Sequence, residues 1–171
     1  MAGRTKATDN TEIVDNIEPT VSFNDEDKDM EKKVNLISIA GWETGFNYIY
    51  GMGSAQIAPY GTVRISRAEI MAQVQNGNRL IGGTDMRGTH ATLVTDDKVV
   101  KEELGFTNDY ICEDTVRRIF NEKDKESFKR AFTAAVVTRA EKAAVMKIIG
   151  DLGINDYSKI RFAEDYTGIR I

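Results

Sequence analysis

The first 33 residues constrain the fold most, because they are poor in the side chains from which a protein core is built. A segment such as Thr-Asp-Asn-Thr-Glu at residues 8–12 buries too little apolar surface to offset the entropy lost on ordering. We therefore expect residues 1–33 to form an extended acidic N-terminal arm that becomes ordered only against a neighbouring subunit. The other interpretation is a terminal tail that only adds solubility.

Charge divides the chain at the same place. Residues 1–33 hold five Lys or Arg and nine Asp or Glu, a net charge of −4, and the net charge of the whole chain is also −4. Residues 34–171 are therefore balanced, with 18 residues of each sign. Broad binding to a phosphate backbone needs a basic surface that displaces counterions, so nucleic acid is an unlikely partner.

Residues 34–171 have the length of one globular domain, and their pattern changes near residue 94. Residues 34–94 hold short apolar runs separated by glycine-rich turns, which predicts strands and begins with a strand at residues 34–40. From residue 95 onward, apolar side chains recur at helical spacing. We predict an α+β fold in which a small mixed β-rich part, 34–94, packs with a helical part, 95–171, after the extended arm.

Two capping-box motifs predict helix starts. Residues 66–69 read Ser-Arg-Ala-Glu and residues 138–141 read Thr-Arg-Ala-Glu. In a capping box the hydroxyl and the Glu carboxylate each satisfy a free backbone N–H group. We expect the first helix to end near Gln75 and an extended piece to begin at residues 79–81. The second motif either restarts a helix or lies inside one long helix.

Composition argues against a membrane protein and against a disulfide scaffold. No stretch reaches the roughly 20 apolar residues that span a bilayer, and residues 1–4 lead into polar residues instead of a signal-peptide core. We expect a protein that is made in a cytoplasm and has no membrane partner. Cys112 is the single cysteine, which excludes an internal disulfide and disfavours a cysteine-based metal site; we expect it to be buried.

Aromatic residues cluster in the glycine-rich segment 41–65 and form our candidate interface. Phe46, Tyr48 and Tyr50 alternate with other residues, so a strand would present the three rings on one face. With Trp42 and Tyr60 they resemble the Tyr- and Trp-rich contacts of protein interfaces. A core stripe or a base-stacking platform would use the same residues.

No motif predicts catalysis or a cofactor. The Gly-Met-Gly run at residues 51–53 lacks the third glycine and the following helix of a dinucleotide-binding loop. His90, with Asp85 nearby, could form a general base or part of a metal site, but the chain groups no further ligands around them. We expect a structural histidine and predict that the protein is not an enzyme.

One basic cluster supports the alternative hypothesis. Arg117, Arg118, Lys129 and Arg130 could contact phosphates, which would make the protein a nucleic-acid-associated binding module. Acidic residues are interleaved with this cluster, so a solvated mixed face is the simpler interpretation.

The leader Met-Ala-Gly-Arg-Thr-Lys-Ala-Thr, the acidic spacer after it and the compact body with glycine and aromatic residues resemble small virion proteins of tailed bacteriophages. The resemblance implies repeated copies bound to a head, neck or tail lattice, with extended arms that reach across subunits. Our hypothesis is therefore a non-catalytic assembly component of a virus particle. It would bind neighbouring subunits through the arm and the aromatic, glycine-rich surface.

Overall fold

The computed structural model describes residues 29–107 and 110–171. Residues 1–28 of the predicted arm lie outside this range, so the prediction of an extended arm remains a prediction. Within the described part of that segment, residues 29–31 form a helical turn, α1, and Lys33 begins the first strand.

Five short strands form two antiparallel sheets in the described chain. The central strand β1 (Lys33–Ser38) pairs with β4 (Thr62–Ser66) and with β5 (Leu93–Val94), in the order β4-β1-β5. The strands β2 (Thr44–Asn47) and β3 (Ser54–Ile57) form a separate hairpin. The strand predicted at residues 34–40 is therefore present as β1, which ends at Ser38.

Helices make up most of the chain after residue 66, as follows: α2 (Arg67–Gln75), α3 (Arg79–Gly82), α4 (Lys98–Leu104), α5 (Glu113–Phe120), α6 (Lys125–Ala135), α7 (Arg139–Asp151) and α8 (Tyr157–Thr167). The β-rich N-terminal part and the helical C-terminal part confirm the predicted α+β class. A new helix starts at residue 139, which settles the question left open by the second capping box.

The apolar side chains form two clusters, and β1 contributes to both. Leu36 belongs to the sheet cluster, which also contains Ile57 of the hairpin and Ile70 of α2. Ile37 packs against the helical cluster, which contains Phe128, Phe132 and Val145. The helical cluster is rich in phenylalanine, with Phe128 and Phe132 fully buried and their rings 5.7 Å apart. Because neighbouring residues of a strand point to opposite faces, β1 joins the β-rich part to the helical part.

Two local predictions were wrong. Residues 79–81 are helical because the Asn78 side chain accepts a hydrogen bond from Leu80 N and caps α3. Cys112 is partly exposed; it occupies the N-cap of α5, and its Sγ atom lies 3.4 Å from Thr115 Oγ1.

Candidate functional site

The loop between β2 and β3 exposes three large apolar side chains. We call residues 49–53 the hairpin tip. Ile49 is exposed, Tyr50 is 71% exposed and Met52 is 98% exposed. Gly53 takes a φ of +99°, which a residue with a side chain rarely adopts, and its carbonyl accepts a hydrogen bond from Tyr48 N at 3.1 Å. The tip therefore presents apolar surface from a tightly turned backbone.

A buried polar pair on α2 fixes the hairpin tip. Glu69 is only 4% exposed, and its two carboxylate oxygens accept hydrogen bonds from Ile49 N at 2.8 Å and Tyr50 N at 3.0 Å. Gln73 Nε2 donates to Asn47 O at 2.7 Å and to Glu69 Oε1 at 2.8 Å. Two side chains of α2 thus hold the hairpin loop through three hydrogen bonds.

The Glu69 carboxylate is stabilised in its charged form. Burial raises the pKa of Glu69, but the hydrogen bonds from Gln73, Tyr50 N and Ile49 N outweigh burial and lower the pKa below its ordinary value. The carboxylate is therefore ionised at neutral pH, where it accepts from both backbone N–H groups.

The five predicted interface residues lie in different surroundings. Phe46 and Tyr48 are partly buried against the sheet cluster, and their rings meet edge to face at 6.2 Å. Trp42 packs on the helical cluster, with the Arg139 guanidinium 4.7 Å from its ring. Tyr60 is exposed, and Lys147 Nζ lies 5.5 Å from the centre of its ring. Of the five, the hairpin tip contains Tyr50 alone.

Sequence reasoning missed Ile49 and Met52 as parts of this surface. The available signal was the placement of Met52 between Gly51 and Gly53, because a large apolar side chain flanked by glycines has few local neighbours to bury it. The hydrogen bonds that Glu69 accepts from the hairpin tip, which we call the Glu69 clamp, had no sequence signal. Glu69 lies 19 to 20 residues away from the two residues it binds.

The basic cluster spans two helices and is mixed with acidic side chains. Arg117 and Arg118 lie exposed on α5, and Arg118 interacts with other groups of the chain. On α6, Lys129 Nζ pairs with Glu126 at 2.8 Å, and Arg130 donates to Ser127 Oγ at 3.3 Å. Lys129 is already paired, and this leaves less positive charge for a phosphate backbone.

His90 has a carboxylate partner other than the one we considered. Its Nδ1 atom lies 2.7 Å from Glu141 Oε1, across 51 residues of sequence. Asp85 instead accepts hydrogen bonds from Arg87 N and from the backbone and hydroxyl of Thr89, and these bonds lower the pKa of Asp85. His90 is thus hydrogen-bonded, as a structural histidine would be, and its side chain also lines a cavity.

Two general properties of the described residues bear on function. Within residues 29–107 and 110–171, no three His, Cys, Asp or Glu side chains are grouped closely enough to hold a metal ion. None of the helices in that part of the chain has the length and apolar character needed to cross a membrane.

Comparison of the chain with protein-family models, with curated proteins and with solved structures gave no match.

Proposed function

We propose that this protein is a non-catalytic assembly component that binds neighbouring subunits, and that the hairpin tip is a docking contact. The observation that supports this proposal is the exposure of Tyr50 and Met52 on a loop held by buried Glu69. Large exposed apolar side chains grouped on one projection are typical of protein interaction sites. The resemblance to small virion proteins of tailed bacteriophages supports a virus particle as the assembly.

The clamp favours binding because it removes part of the cost of association. Burying a Tyr or Met side chain in a partner contributes about 1.5–3 kcal/mol, and ordering a flexible loop during binding subtracts from that gain. Since Glu69 already fixes the backbone at Ile49 and Tyr50, the loop has less freedom to lose. The hairpin tip is therefore preorganised for docking.

The neighbouring subunit in this proposal is another copy of the same chain. Repeated copies are what the resemblance to virion lattice proteins implies. A contact between copies also makes the proposal measurable without knowledge of any other component, because self-association raises the mass in solution.

The test is the solution mass of the full-length chain and of the double variant Tyr50→Ser/Met52→Ser, measured by light scattering after size-exclusion chromatography. We expect oligomers for the unaltered chain and monomers for the double variant. Tyr157→Ser is the matched control, because Tyr157 is 75% exposed and lies on α8, outside the hairpin tip. The control should remain oligomeric. A monomeric unaltered chain, or a double variant that still forms oligomers, would contradict the proposal.

A further inference from the structure

The His90 ring is held by a buried carboxylate that already has several donors. Glu141 is 3% exposed, and its Oε2 atom accepts hydrogen bonds from Val137 N, Thr138 N and Thr138 Oγ1 at 2.8–3.0 Å. Its other oxygen, Oε1, faces His90 Nδ1. Both oxygens of the buried carboxylate therefore have hydrogen-bond partners.

This arrangement determines which nitrogen of the imidazole is available. A carboxylate only accepts hydrogen bonds, so the ring donates through Nδ1–H. In the neutral ring, Nε2 then carries a lone pair and acts as an acceptor. The hydrogen bond that the structure shows for the ring is the one between Nδ1 and Glu141.

The backbone supports the same position of the ring. His90 has a φ of +58°, an uncommon conformation for a residue other than glycine. The preceding loop is closed by hydrogen bonds from Thr84 N to Thr89 O at 2.8 Å and from Gly88 N to Gly82 O at 2.9 Å. Unfavourable backbone conformations persist where the surrounding contacts fix them, and they cluster at functional sites.

His90 lines a cavity with a volume of about 430 Å³. Ile111, Ile119, Ala131 and Ala135 form the apolar part of its lining, and the polar part includes the charged side chains of Arg118 and Glu122. The small alanine side chains of α6 leave the space open, and the volume falls in the range of about 300–1,000 Å³ that small-molecule sites occupy. Glu141 does not line the cavity, so it acts on a ligand only through the histidine.

We propose that this cavity binds a small, largely apolar molecule that carries a hydroxyl group, and that the hydroxyl donates a hydrogen bond to His90 Nε2. His90 is the binding residue, and Glu141 is a positioning residue that keeps the proton on Nδ1. The apolar body of the ligand packs against the isoleucine and alanine side chains. This site is independent of the hairpin tip and of the proposed assembly function.

The proposal can be tested on the unaltered full-length chain with two probes of nearly equal shape. Phenol has the hydroxyl donor, whereas anisole has a methoxy group and cannot donate. We expect saturable shifts of the His90 side-chain nuclear magnetic resonance signals with phenol, and a dissociation constant about two- to tenfold lower for phenol than for anisole. Equal affinity for the two probes would overturn the hydrogen bond to Nε2.

Two variants locate the bound phenol. Ala135→Leu places a larger side chain in the cavity, and we expect it to abolish phenol binding while the thermal unfolding stays cooperative. His90→Asn keeps a residue that tolerates a positive φ but shortens the side chain, and it should bind phenol no better than anisole. Phenol affinity unchanged in a folded Ala135→Leu chain would exclude this cavity. If either variant fails to fold, the comparison of the two probes on the unaltered chain still decides.

Discussion

The starts of α2 and α7 share almost the same sequence, yet their glutamates bind different groups. In Thr138-Arg139-Ala140-Glu141 the carboxylate closes the capping box, because Glu141 Oε2 accepts from Thr138 N at 2.8 Å. In Ser66-Arg67-Ala68-Glu69 only half of the box forms: Glu69 N donates to Ser66 Oγ at 3.2 Å. The Glu69 carboxylate points instead to the hairpin tip, and Glu141 keeps one oxygen for His90.

The arginines of the two motifs differ as strongly. Arg67 is buried and forms a two-pronged ion pair with Asp97, with contacts of 3.0 and 2.7 Å, and it also pairs with Asp29. Arg139 is exposed and contacts the ring of Trp42. A capping motif therefore fixes where a helix begins, while distant residues decide what its charged side chains do.

The largest expected loss of stability comes from removing the guanidinium group of Arg67. Arg67→Met keeps the volume of the side chain but leaves Asp97 and Asp29 without their cation. The hydrogen bonds and charge of Arg67 now hold the pKa of Asp97 low against the effect of burial, which would raise it. We expect the melting temperature to fall by about 5 °C or more, because the Asp97 carboxylate, which is only 13% exposed, loses its cation.

Arg139→Met is the matched control for that change. It removes only the contact of an exposed cation with Trp42, so the melting temperature should change by no more than about 2 °C. Differential scanning calorimetry of the two variants gives both values. Equal shifts would show that Arg67 stabilises the fold no more than an exposed arginine does.

Local sequence rules predicted a substantial part of the fold. The end of α2 at Gln75 and the two helix starts follow from caps and periodicity within a few residues. The extended piece predicted at residues 79–81 was wrong because the capping capacity of Asn78 was not considered. Helix boundaries that depend on residues close in sequence can therefore largely be predicted.

The candidate sites depend on distant partners and were mostly not predictable. Arg67 and Asp97 are 30 residues apart, and His90 and Glu141 are 51 residues apart. Each of these pairs forms because packing of the sheet and the helices brings two elements together, and no local pattern encodes that proximity. The sequence pointed to Tyr50, but it did not distinguish this exposed ring from the partly buried rings of Phe46 and Tyr48.

The pH dependence of stability tests whether Glu69 binds the hairpin tip as an ionised carboxylate. Because its pKa is lowered in the folded protein, Glu69 contributes stability above its ordinary pKa of about 4.3 and loses that contribution as the pH falls through the lowered value. We expect Glu69→Gln to lower the free energy of unfolding by about 1–3 kcal/mol at pH 7, since backbone donors lose their carboxylate. The difference from the unaltered chain should shrink toward pH 3.

Urea unfolding of both chains at pH 7 and pH 3 measures this difference. Other carboxylates with lowered pKa values, those of Asp85, Asp97 and Asp124, weaken the fold in acid in both chains, so subtraction isolates Glu69. Hydrogen exchange at the amides of Ile49 and Tyr50 should accelerate in the variant at neutral pH. A stability difference that is the same at both pH values would argue against an ionised Glu69 as the clamp.

The smallest expected loss of stability comes from removing the N-cap hydroxyl groups of α2 and α7. Thr138 Oγ1 both donates to Glu141 Oε2 at 3.0 Å and accepts from Glu141 N at 3.3 Å, whereas Ser66 Oγ only accepts from Glu69 N. We expect Thr138→Ala to cost about 1–2 kcal/mol and Ser66→Ala about 0.5 kcal/mol in urea unfolding. Thr138→Ser keeps the hydroxyl and should recover most of the loss. An equal loss of stability in Ser66→Ala and Thr138→Ala would show that the half-formed capping box stabilises its helix as much as the closed one. The binding of Glu69 to the hairpin tip would then not weaken the start of α2.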